Sequence, residues 1–227
     1  MRQYLIIDAD DTLWENNIYF ERAFDEFVEF LDHSELSPRE VRDVLDEIEA
    51  ANARVHGYGS LNFGRNLRQC YQRLVEREVF PDDLRTVMGF AERILECPME
   101  VIAGVAETLE YLAERHELTL FTKGHAEEQK LKLERSGLAG YFHHTAIVKE
   151  KDAPAYLRLV EERGMDPGSS WMIGNSPKSD INPALEAGLN AVYVPHPHTW
   201  VLEKQEIRAG NGRLLRLERF AGLREHF

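Results

Sequence analysis

The sequence predicts an α/β protein with a doubly wound parallel sheet, into which an all-helical domain is inserted. Two patterns carry this prediction. Short, continuous apolar runs alternate with longer amphipathic stretches, as strands buried on both faces alternate with helices in such a sheet. The alternation is interrupted directly after the first apolar run by a long segment that shows only helical patterns. The length of 227 residues suits one domain that carries a smaller one.

Each predicted strand is a short run rich in Ile, Val, Leu and aromatic residues. The runs are residues 4–7, 118–121, 145–148, 171–173 and 191–194. Between the later runs lie helical patterns at residues 105–115, 126–136, 153–163 and 177–187. Two of these patterns end before a glycine, at Gly137 and Gly188, and helices commonly end in this way. The regular alternation therefore predicts a doubly wound sheet.

The segment between the first two predicted strands, residues 15–97, has no convincing strand pattern. It is predicted to contain helices at residues 19–31, 38–53, 61–79 and 81–95. The second of these has a clear start signal, with Ser37 as the cap, Pro38 in the first turn and Glu40 three residues after the serine. We therefore expect an α/β core of residues 1–14 and 98–227 and a helical cap domain of residues 15–97. The end of the chain, from about Gly210, is expected to be a surface appendage.

The composition excludes several classes of protein. The chain has 27 Lys and Arg against 40 Asp and Glu, a formal net charge of −13, which repels duplex nucleic acid and anionic membranes. Hydrophobic residues at 43% exclude a disordered chain, and no apolar run is long enough to span a membrane. Cys70 and Cys97 are too few for a disulfide framework or a Cys-rich zinc site. Free thiols and the lack of a signal-peptide pattern lead us to expect a cytoplasmic protein.

Polar residues directly follow the predicted strands, at the sheet edge where ligands of open α/β sheets bind. Strand one is followed by Asp8, Asp10, Asp11 and Thr12, strand two by Thr122 and Lys123, strand three by Lys149 and Lys151, and strand four by Asn175, Ser176 and Asp180. Three carboxylates within four residues repel one another unless a cation compensates them, and such oxygen ligands favour Mg²⁺. One carboxylate can attack phosphorus while a second transfers a proton. A hydroxyl and an ammonium group can hold phosphoryl oxygens, so the pattern predicts a site for a divalent cation and a phosphoryl group.

Four motifs at these strand ends resemble those of the haloacid dehalogenase-like (HAD) phosphohydrolases. The first, Asp-x-Asp-x-Thr, is Asp8-Ala9-Asp10-Asp11-Thr12, and the second is Thr122. The third is Lys151 followed three residues later by Pro154, and the fourth is Gly174-Asn175-Ser176-Pro177-Lys178-Ser179-Asp180. Each motif alone is weakly specific, but four in this order are strongly specific. The resemblance covers essentially the whole chain, and it accounts for the helical insertion because the family tolerates a cap between the first two motifs.

The resemblance implies a role for each matched residue. Asp8 would be the nucleophile that forms an aspartyl-phosphate. Asp10 would protonate the leaving oxygen and then activate water. Thr122 and Lys151 would bind the phosphoryl group. Lys149 is an alternative for this role. Lys151 is preferred because Pro154 follows it by three residues.

The same resemblance implies a Mg²⁺ site. The ion would be held by Asp8, the main-chain carbonyl of Asp10 and the fourth motif, where Asn175 and Asp180 are both candidate ligands. Asn175 stands where the family usually has an aspartate. Its amide oxygen can bind Mg²⁺ but carries no charge, so we expect weaker metal binding unless Asp180 or Asp11 compensates.

One turn of the predicted cap has a charge pattern unlike its surroundings. Residues 15–53 hold 12 acids and 3 bases, whereas residues 54–75 hold 4 arginines, one histidine and no acid. We expect side chains of this turn to contact the part of the substrate beyond its phosphate, although an ordinary helix–helix turn with solvated arginines also explains the pattern. The candidate substrate-binding residues are Thr12 and Lys123 in the core and His56, Tyr58 and Arg65 in the cap.

Some of these residues have simpler explanations. The Asp8 and Asp10 pair, taken alone, could be an acidic turn, and the Thr122 hydroxyl could cap a helix. The sequence His196-Pro197-His198 is explained better as a loop than as a metal site, because no partner ligands with zinc-like spacing accompany it.

The leading hypothesis for function is a Mg²⁺-dependent phosphatase that acts on a small soluble phosphomonoester. A 2-haloacid dehalogenase is an alternative on the same fold, but its chemistry does not need Asp10. A sugar phosphomutase is a second alternative that the motifs allow. A weakly active regulatory binding module is a third, raised by Asn175 and opposed by the presence of Asp8, Asp10, Thr122 and Lys151. The sequence leaves the oligomeric state open.

Overall fold

The computed structural model describes residues 2–208 and 212–227, and the chain divides into two compact units. One unit comprises Met1–Glu15 and Met99–Phe227 and contains the sheet. The other comprises Asn16–Pro98 and is helical. Within the described ranges, no helix combines the length and the apolar character that crossing a lipid bilayer requires.

The α/β unit is built on parallel strands. They are β1 (Tyr4–Ile7), β2 (Glu117–Lys123), β3 (His144–Val148), β4 (Ser170–Gly174), β5 (Asn190–Tyr193) and β6 (Leu214–Arg216). They form one six-stranded sheet in the order β3-β2-β1-β4-β5-β6, in which every neighbouring pair is parallel. This confirms the predicted doubly wound α/β fold. The strand order reverses at β1, so the carboxyl end of β1 lies at the switch point where such sheets bind ligands.

The helical unit is built from four α-helices around one apolar core. They are α1 (Asn17–Leu31), α2 (Pro38–His56), α3 (Ser60–Leu74) and α4 (Pro81–Glu92). Each helix contributes a fully buried side chain to this core, namely Phe27, Leu45, Leu67 and Val87. The start of α2 has the predicted capping box, because the Ser37 hydroxyl accepts a hydrogen bond from the Glu40 amide and the Glu40 carboxylate accepts one from the Ser37 amide.

Helices cover both faces of the sheet in the α/β unit. They are α5 (Val105–Ala113), α6 (Ala126–Ser136), α7 (Ala153–Arg163) and α8 (Asn182–Glu186), the last preceded by a π-helical turn, Pro177–Ile181. Leu5 and Ile7 of β1 belong to one apolar cluster, whereas Ile6 between them belongs to another. Successive side chains of a strand point to opposite faces. The continuous apolar runs in the sequence therefore reflect burial on both faces of the sheet.

The C-terminal segment differs from the sequence prediction. Gly210 lies outside the described residues, but β6 follows shortly after it and pairs with β5, and Phe220 and Leu223 are buried in the main core. A Cβ on Gly212 would stand 1.8 Å from the Leu189 carbonyl oxygen, so only glycine fits where this backbone approaches the sheet. The predicted surface appendage is therefore wrong for this stretch. A strand of three residues is too short to produce a recognisable pattern.

Candidate active site

The loop after β1 begins with Asp8 and folds back on itself. The Asp8 amide donates a hydrogen bond to the Ile173 carbonyl of β4, at 2.9 Å. The Leu13 amide donates to the Ala9 carbonyl, at 2.8 Å, and Asp11 between them has a left-handed backbone with φ of 59°. Aspartate tolerates this conformation better than most residues. The tight turn keeps the carboxylates that follow β1 at the carboxyl edge of the sheet.

Lys151 connects two buried carboxylates at this edge. Its side chain is 1% exposed, and its Nζ donates hydrogen bonds to Asp8 Oδ1 and, at 2.8 Å, to Asp180 Oδ1. Burial lowers the pKa of the Lys151 ammonium, but the attraction of Asp180 and Asp8 outweighs burial and raises that pKa above its ordinary value. Lys151 is therefore a charged group that offsets part of the negative charge of the two carboxylates. Lys149, the alternative for the third motif, is exposed.

Both carboxylate oxygens of Asp180 accept hydrogen bonds from the protein. Its Oδ1 accepts from Lys151, and its Oδ2 accepts from the Ser176 amide at 2.9 Å. Burial, and then the nearby charge of Asp8, raise the pKa of the Asp180 carboxyl to about 7, while Lys151 opposes the rise. A Cβ on Gly174 would stand 2.3 Å from Asp180 Oδ2, so the glycine of the fourth motif makes room for this carboxylate. Both oxygens of Asp180 thus serve to position Lys151 and the turn after β4.

Asn175 and Asp8 share a neighbour, the Thr12 hydroxyl. Thr12 Oγ1 lies 3.0 Å from Asp8 Oδ2 and 3.3 Å from Asn175 Oδ1. The Asn175 Nδ2 donates to Thr199 Oγ1 at 3.1 Å, which directs the amide oxygen toward Thr12. Carboxylate and amide oxygens are hard donors of the kind that Mg²⁺ prefers, so the residues present fit this ion. Asp8 and Asn175 together carry one negative charge, whereas two aspartates at these positions would carry two.

The Asp10 carboxylate is held by three side chains. Trp14 Nε1 donates to it at 2.8 Å and Gln129 Nε2 at 2.7 Å, and Lys132 Nζ lies 3.1 Å from each of its oxygens. Gln129 and Lys132 belong to α6, where both are buried although they are polar. Glu128 of the same helix lies 3.7 Å from Lys132. None of the three partners of Asp10 was predicted from the sequence. Polar residues on the buried side of an amphipathic helix are the signal that could have identified Gln129 and Lys132.

Thr122 and Lys123 stand at the end of β2 with different surroundings. Thr122 is buried, and no hydrogen bond joins its hydroxyl to the part of the chain that the structure describes. Lys123 Nζ donates to Glu203 Oε1 at 2.6 Å and to Ser179 Oγ at 2.9 Å. Burial raises the pKa of the Glu203 carboxyl, but the charge and hydrogen bond of Lys123, together with hydrogen bonds from Ser176 and Ser179, outweigh burial, so the pKa lies below its ordinary value. The charge of Lys123 is therefore compensated by Glu203.

The segment after β5, residues 196–203, contributes three polar residues whose contacts were not predicted from the sequence. Thr199 accepts from Asn175, and Glu203 accepts from the Ser176 hydroxyl at 2.6 Å as well as from Lys123. His196 Nε2 lies 3.3 Å from Glu15 and its Nδ1 lies 3.7 Å from Asp11. The only available signal was position, because this segment follows the carboxyl end of a strand in the same sheet.

The group formed by Asp11, Glu15 and His196 is a second set of metal-ligand atoms. One atom from each residue lies within 4.8 Å of the others, an arrangement that could hold a metal ion. An imidazole nitrogen among the donors suits a transition metal better than Mg²⁺. The sequence analysis explained His196 as part of a loop, and the structure shows that it approaches two carboxylates far from it in the chain.

The three candidates His56, Tyr58 and Arg65 belong to the helical unit. His56 is the last residue of α2, Tyr58 lies in the connection to α3, and Arg65 is in α3. His56 and Arg65 line the same cavity, of about 420 Å³. The Tyr58 carbonyl accepts a hydrogen bond from Asn62, a residue of that cavity.

A family model described as haloacid dehalogenase-like hydrolase matches residues 5–194. Among solved structures, a haloacid dehalogenase-like family hydrolase from Xanthomonas campestris is 28% identical with a TM-score of 0.83, covering 99% of this chain and 94% of that one. The HAD-hydrolase YfnB from Bacillus subtilis, bound to magnesium, is 17% identical with a TM-score of 0.70, covering 100% and 99%. A 2-haloacid dehalogenase from Pseudomonas syringae is 20% identical with a TM-score of 0.62, covering 99% and 97%. No curated protein matches the chain.

Proposed function

The chain belongs to the haloacid dehalogenase-like hydrolase family, and from this premise we propose that it is a Mg²⁺-dependent phosphatase of a small phosphomonoester. One observation carries the proposal. Asp8, at the end of β1, contacts Lys151 through one carboxylate oxygen and Thr12 through the other, and the same hydroxyl lies beside Asn175. A nucleophilic carboxylate, a buried ammonium group and neutral oxygen donors are what phosphoryl transfer to an aspartate requires.

Mg²⁺ is the proposed cofactor. Asp8, Asn175 and the main-chain carbonyl of Asp10 are its proposed ligands, and when bound the ion supplies positive charge that offsets the repulsion between Asp8 and a phosphate. Asp180, the other candidate, is fully buried and accepts hydrogen bonds from Lys151 and the Ser176 amide, whereas Asp8 and Asn175 share the Thr12 hydroxyl. We therefore assign Asp180 to holding Lys151, with at most an indirect effect on the metal. The magnesium in YfnB supports a metal-dependent reaction on this fold.

The first proposed step transfers the phosphoryl group to Asp8. A carboxylate oxygen of Asp8 attacks phosphorus, a new oxygen–phosphorus bond forms, and the bond from phosphorus to the substrate oxygen breaks. Asp10, as a carboxylic acid, gives its proton to that oxygen, so the product leaves as an alcohol. Lys151 and Thr122 hold the phosphoryl oxygens while charge shifts among them.

The second proposed step releases phosphate. Water attacks the phosphorus of the aspartyl-phosphate, and the Asp10 carboxylate takes a proton from that water. The bond between phosphorus and Asp8 breaks, which returns Asp8 to a carboxylate. Trp14, Gln129 and Lys132 hold Asp10 in one orientation through both steps.

Substrate selection is assigned to the remaining candidates. We propose that His56, Tyr58 and Arg65 contact the part of the substrate beyond its phosphate. The two candidates in the core have a positioning role instead. Thr12 orients Asp8 through its hydroxyl. Lys123 pairs with Glu203, and these two side chains position the turn at Ser176 and Ser179.

Dehalogenation of a 2-haloacid is the second candidate function. Two observations favour it, the fold shared with 2-haloacid dehalogenases and the uncharged Asn175 at the proposed metal site. Asp10, held by three donors, opposes it, because displacement of halide by a carboxylate needs no acid for the leaving group. We therefore prefer the phosphatase.

Release of phosphate from p-nitrophenyl phosphate tests the proposal. We expect activity with Mg²⁺, none with EDTA, and a loss of about a thousandfold or more in Asp8→Asn, because the amide is not a nucleophile. Asp166→Asn is the matched control, since Asp166 is exposed and belongs to none of the four motifs. Chloride release from 2-chloropropionate is measured in parallel. Chloride release without phosphate release, or phosphatase activity that survives EDTA or Asp8→Asn, would contradict the phosphatase.

We also propose where the protein is located and what it binds. Cys70 and Cys97 are free thiols, as expected in a reducing compartment, and we propose a cytoplasmic enzyme with a small-molecule substrate.

A further inference from the structure

The helical unit has a cavity of its own between α2 and α3. Its volume is about 420 Å³, and every described residue that lines it is Asn, Gln, Arg or His. The absence of carboxylates from this lining stands out because the unit, residues 16–98, has 17 acidic and 10 basic residues. The helical unit is acidic as a whole, but the described lining of this cavity contains no Asp or Glu.

The arginines that line this cavity form no ion pair with any residue that the structure describes. Among the described side chains of the helical unit, five other arginines lie within ion-pair distance of a carboxylate, namely Arg42, Arg73, Arg77, Arg85 and Arg93. Arg65 and Arg68 both line the cavity, and neither has such a partner in the described parts of the chain. Within the described chain, the Arg65 guanidinium donates only to the Asn62 side-chain oxygen, at 3.0 Å. The guanidinium groups of Arg65 and Arg68 are therefore available to bind an anion in this cavity.

The amides of the cavity also present donors. Asn52 Nδ2 donates to Asn66 Oδ1 at 2.8 Å and to Gln69 Oε1 at 3.0 Å, so both acceptor oxygens are occupied. The amino groups of Asn66 and Gln69 have no acceptor among the residues that the structure describes. Asn66 is only 7% exposed and lines the cavity, so its amino group is a donor that a ligand in the cavity would meet. The groups left to a ligand are mainly N–H donors.

We propose that this cavity binds a small oxyanion, a phosphate or carboxylate group, between Arg65 and Arg68. A guanidinium presents a planar set of donors that matches two oxygens of such a group. The amino groups of Asn66 and Gln69 complete the donor set, and the volume leaves room for an organic body attached to the anion. The anion is either a second charged group of the substrate or a separate ligand. Binding itself does not depend on the proposed phosphatase activity.

Inorganic phosphate titrated into the full-length ¹⁵N-labelled protein, with EDTA present, tests binding. We expect the Nε–Hε NMR signals of Arg65 and Arg68 to shift and saturate. Arg39 is the matched control, because it is exposed, has no carboxylate within ion-pair distance in the described chain and does not line the cavity. Signals of Arg65 and Arg68 that stay fixed, or that drift without saturation as those of Arg39 do, would overturn the proposal.

Two variants test the geometry. Arg65→Gln and Arg68→Gln are each expected to weaken phosphate binding, seen at the remaining arginine, by about tenfold, whereas Arg39→Gln leaves it unchanged. Both arginines are exposed, so thermal melting is expected to show folded variants. Unchanged affinity in both variants would mean that the cavity arginines do not bind the anion. If a variant fails to fold, the titration of the wild-type protein still decides.

A second titration identifies the source of the anion. The probe is 2-phosphoglycolate, which carries a phosphate and a carboxylate, again with EDTA so that no turnover occurs. If the cavity binds a second group of the substrate, the signals of Arg65 and of the Thr122 amide saturate together with one molecule per chain. If the cavity binds a separate ligand, the two sets of signals saturate independently with two molecules per chain.

Discussion

Lys151 donates a hydrogen bond to Asp8 from a side chain that is almost completely buried, and its second carboxylate partner, Asp180, is fully buried. An ammonium group between two carboxylates in a buried site neutralises charges that would otherwise be costly to remove from water. The same contact points the ammonium at the oxygen that we assign as the nucleophile. Stability and chemistry therefore depend on one side chain.

Lys151→Met is expected to abolish phosphatase activity and to lower the free energy of unfolding by about 3–5 kcal/mol, because Asp8 and Asp180 lose their cation. Urea denaturation and phosphate release measure the two effects. The double variant Lys151→Met with Asp180→Asn is expected to recover part of the stability and none of the activity. A single variant as stable as the wild-type protein would show that Lys151 does not compensate the carboxylates.

Lys132→Met is expected to lower kcat about tenfold with little change in KM, because Asp10 loses the ammonium that holds both of its oxygens. Steady-state kinetics with p-nitrophenyl phosphate measures both constants. Lys130→Met is the control, since Lys130 is an exposed lysine of the same helix whose one ion pair in the described chain is with Glu127. Equal kinetics in the two variants would argue against a positioning role for Lys132.

Asn175→Asp is expected to lower the Mg²⁺ concentration for half-maximal activity about tenfold, because it adds a negative charge to the proposed ligand set. Thr199→Val is expected to act in the opposite direction, since it removes the acceptor that orients the Asn175 amide. Titration of activity with MgCl₂ measures both. A metal requirement that neither substitution changes would exclude Asn175 from the metal site.

His116 is expected to make stability depend on pH. Burial, together with the positive charges of the N-terminus, Arg115 and Arg2, lowers the pKa of His116 below its ordinary value of 6.5. The unfolded chain therefore binds a proton more readily than the folded one. The contribution of His116 to the free energy of unfolding is fully present above the pKa that His116 has in the unfolded chain. It is lost as pH falls toward and below the pKa that His116 has in the folded protein.

His116→Gln removes this titration while Gln can still accept the hydrogen bond that the Gln3 amide donates to His116. We expect the free energy of unfolding of the wild-type protein to fall more steeply than that of the variant between about pH 7 and pH 5. Denaturant titrations at these two values measure the slope. Parallel slopes for the two proteins would contradict this assignment.

Much of the fold could be predicted from local patterns. The continuous apolar runs became β1 to β5, and the capping box at Ser37 and Glu40 begins α2. The three-residue strand β6 could not be predicted, because its position depends on the approach of Gly212 to the Leu189 carbonyl and not on any periodicity of its own.

The sequence by itself determined which polar residues follow which strand, because a parallel sheet brings the carboxyl ends of its strands to one edge. Only the tertiary structure decided what each of them touches. Lys132 meets Asp10, Thr199 meets Asn175 and Glu203 meets Lys123 across long stretches of chain, and hydrogen bonds of this kind leave no spacing in the sequence. The reason is physical: strand and helix patterns arise from burial of neighbouring residues, whereas the orientation of a charged side chain is set by donors and acceptors that distant segments bring within about 3 Å.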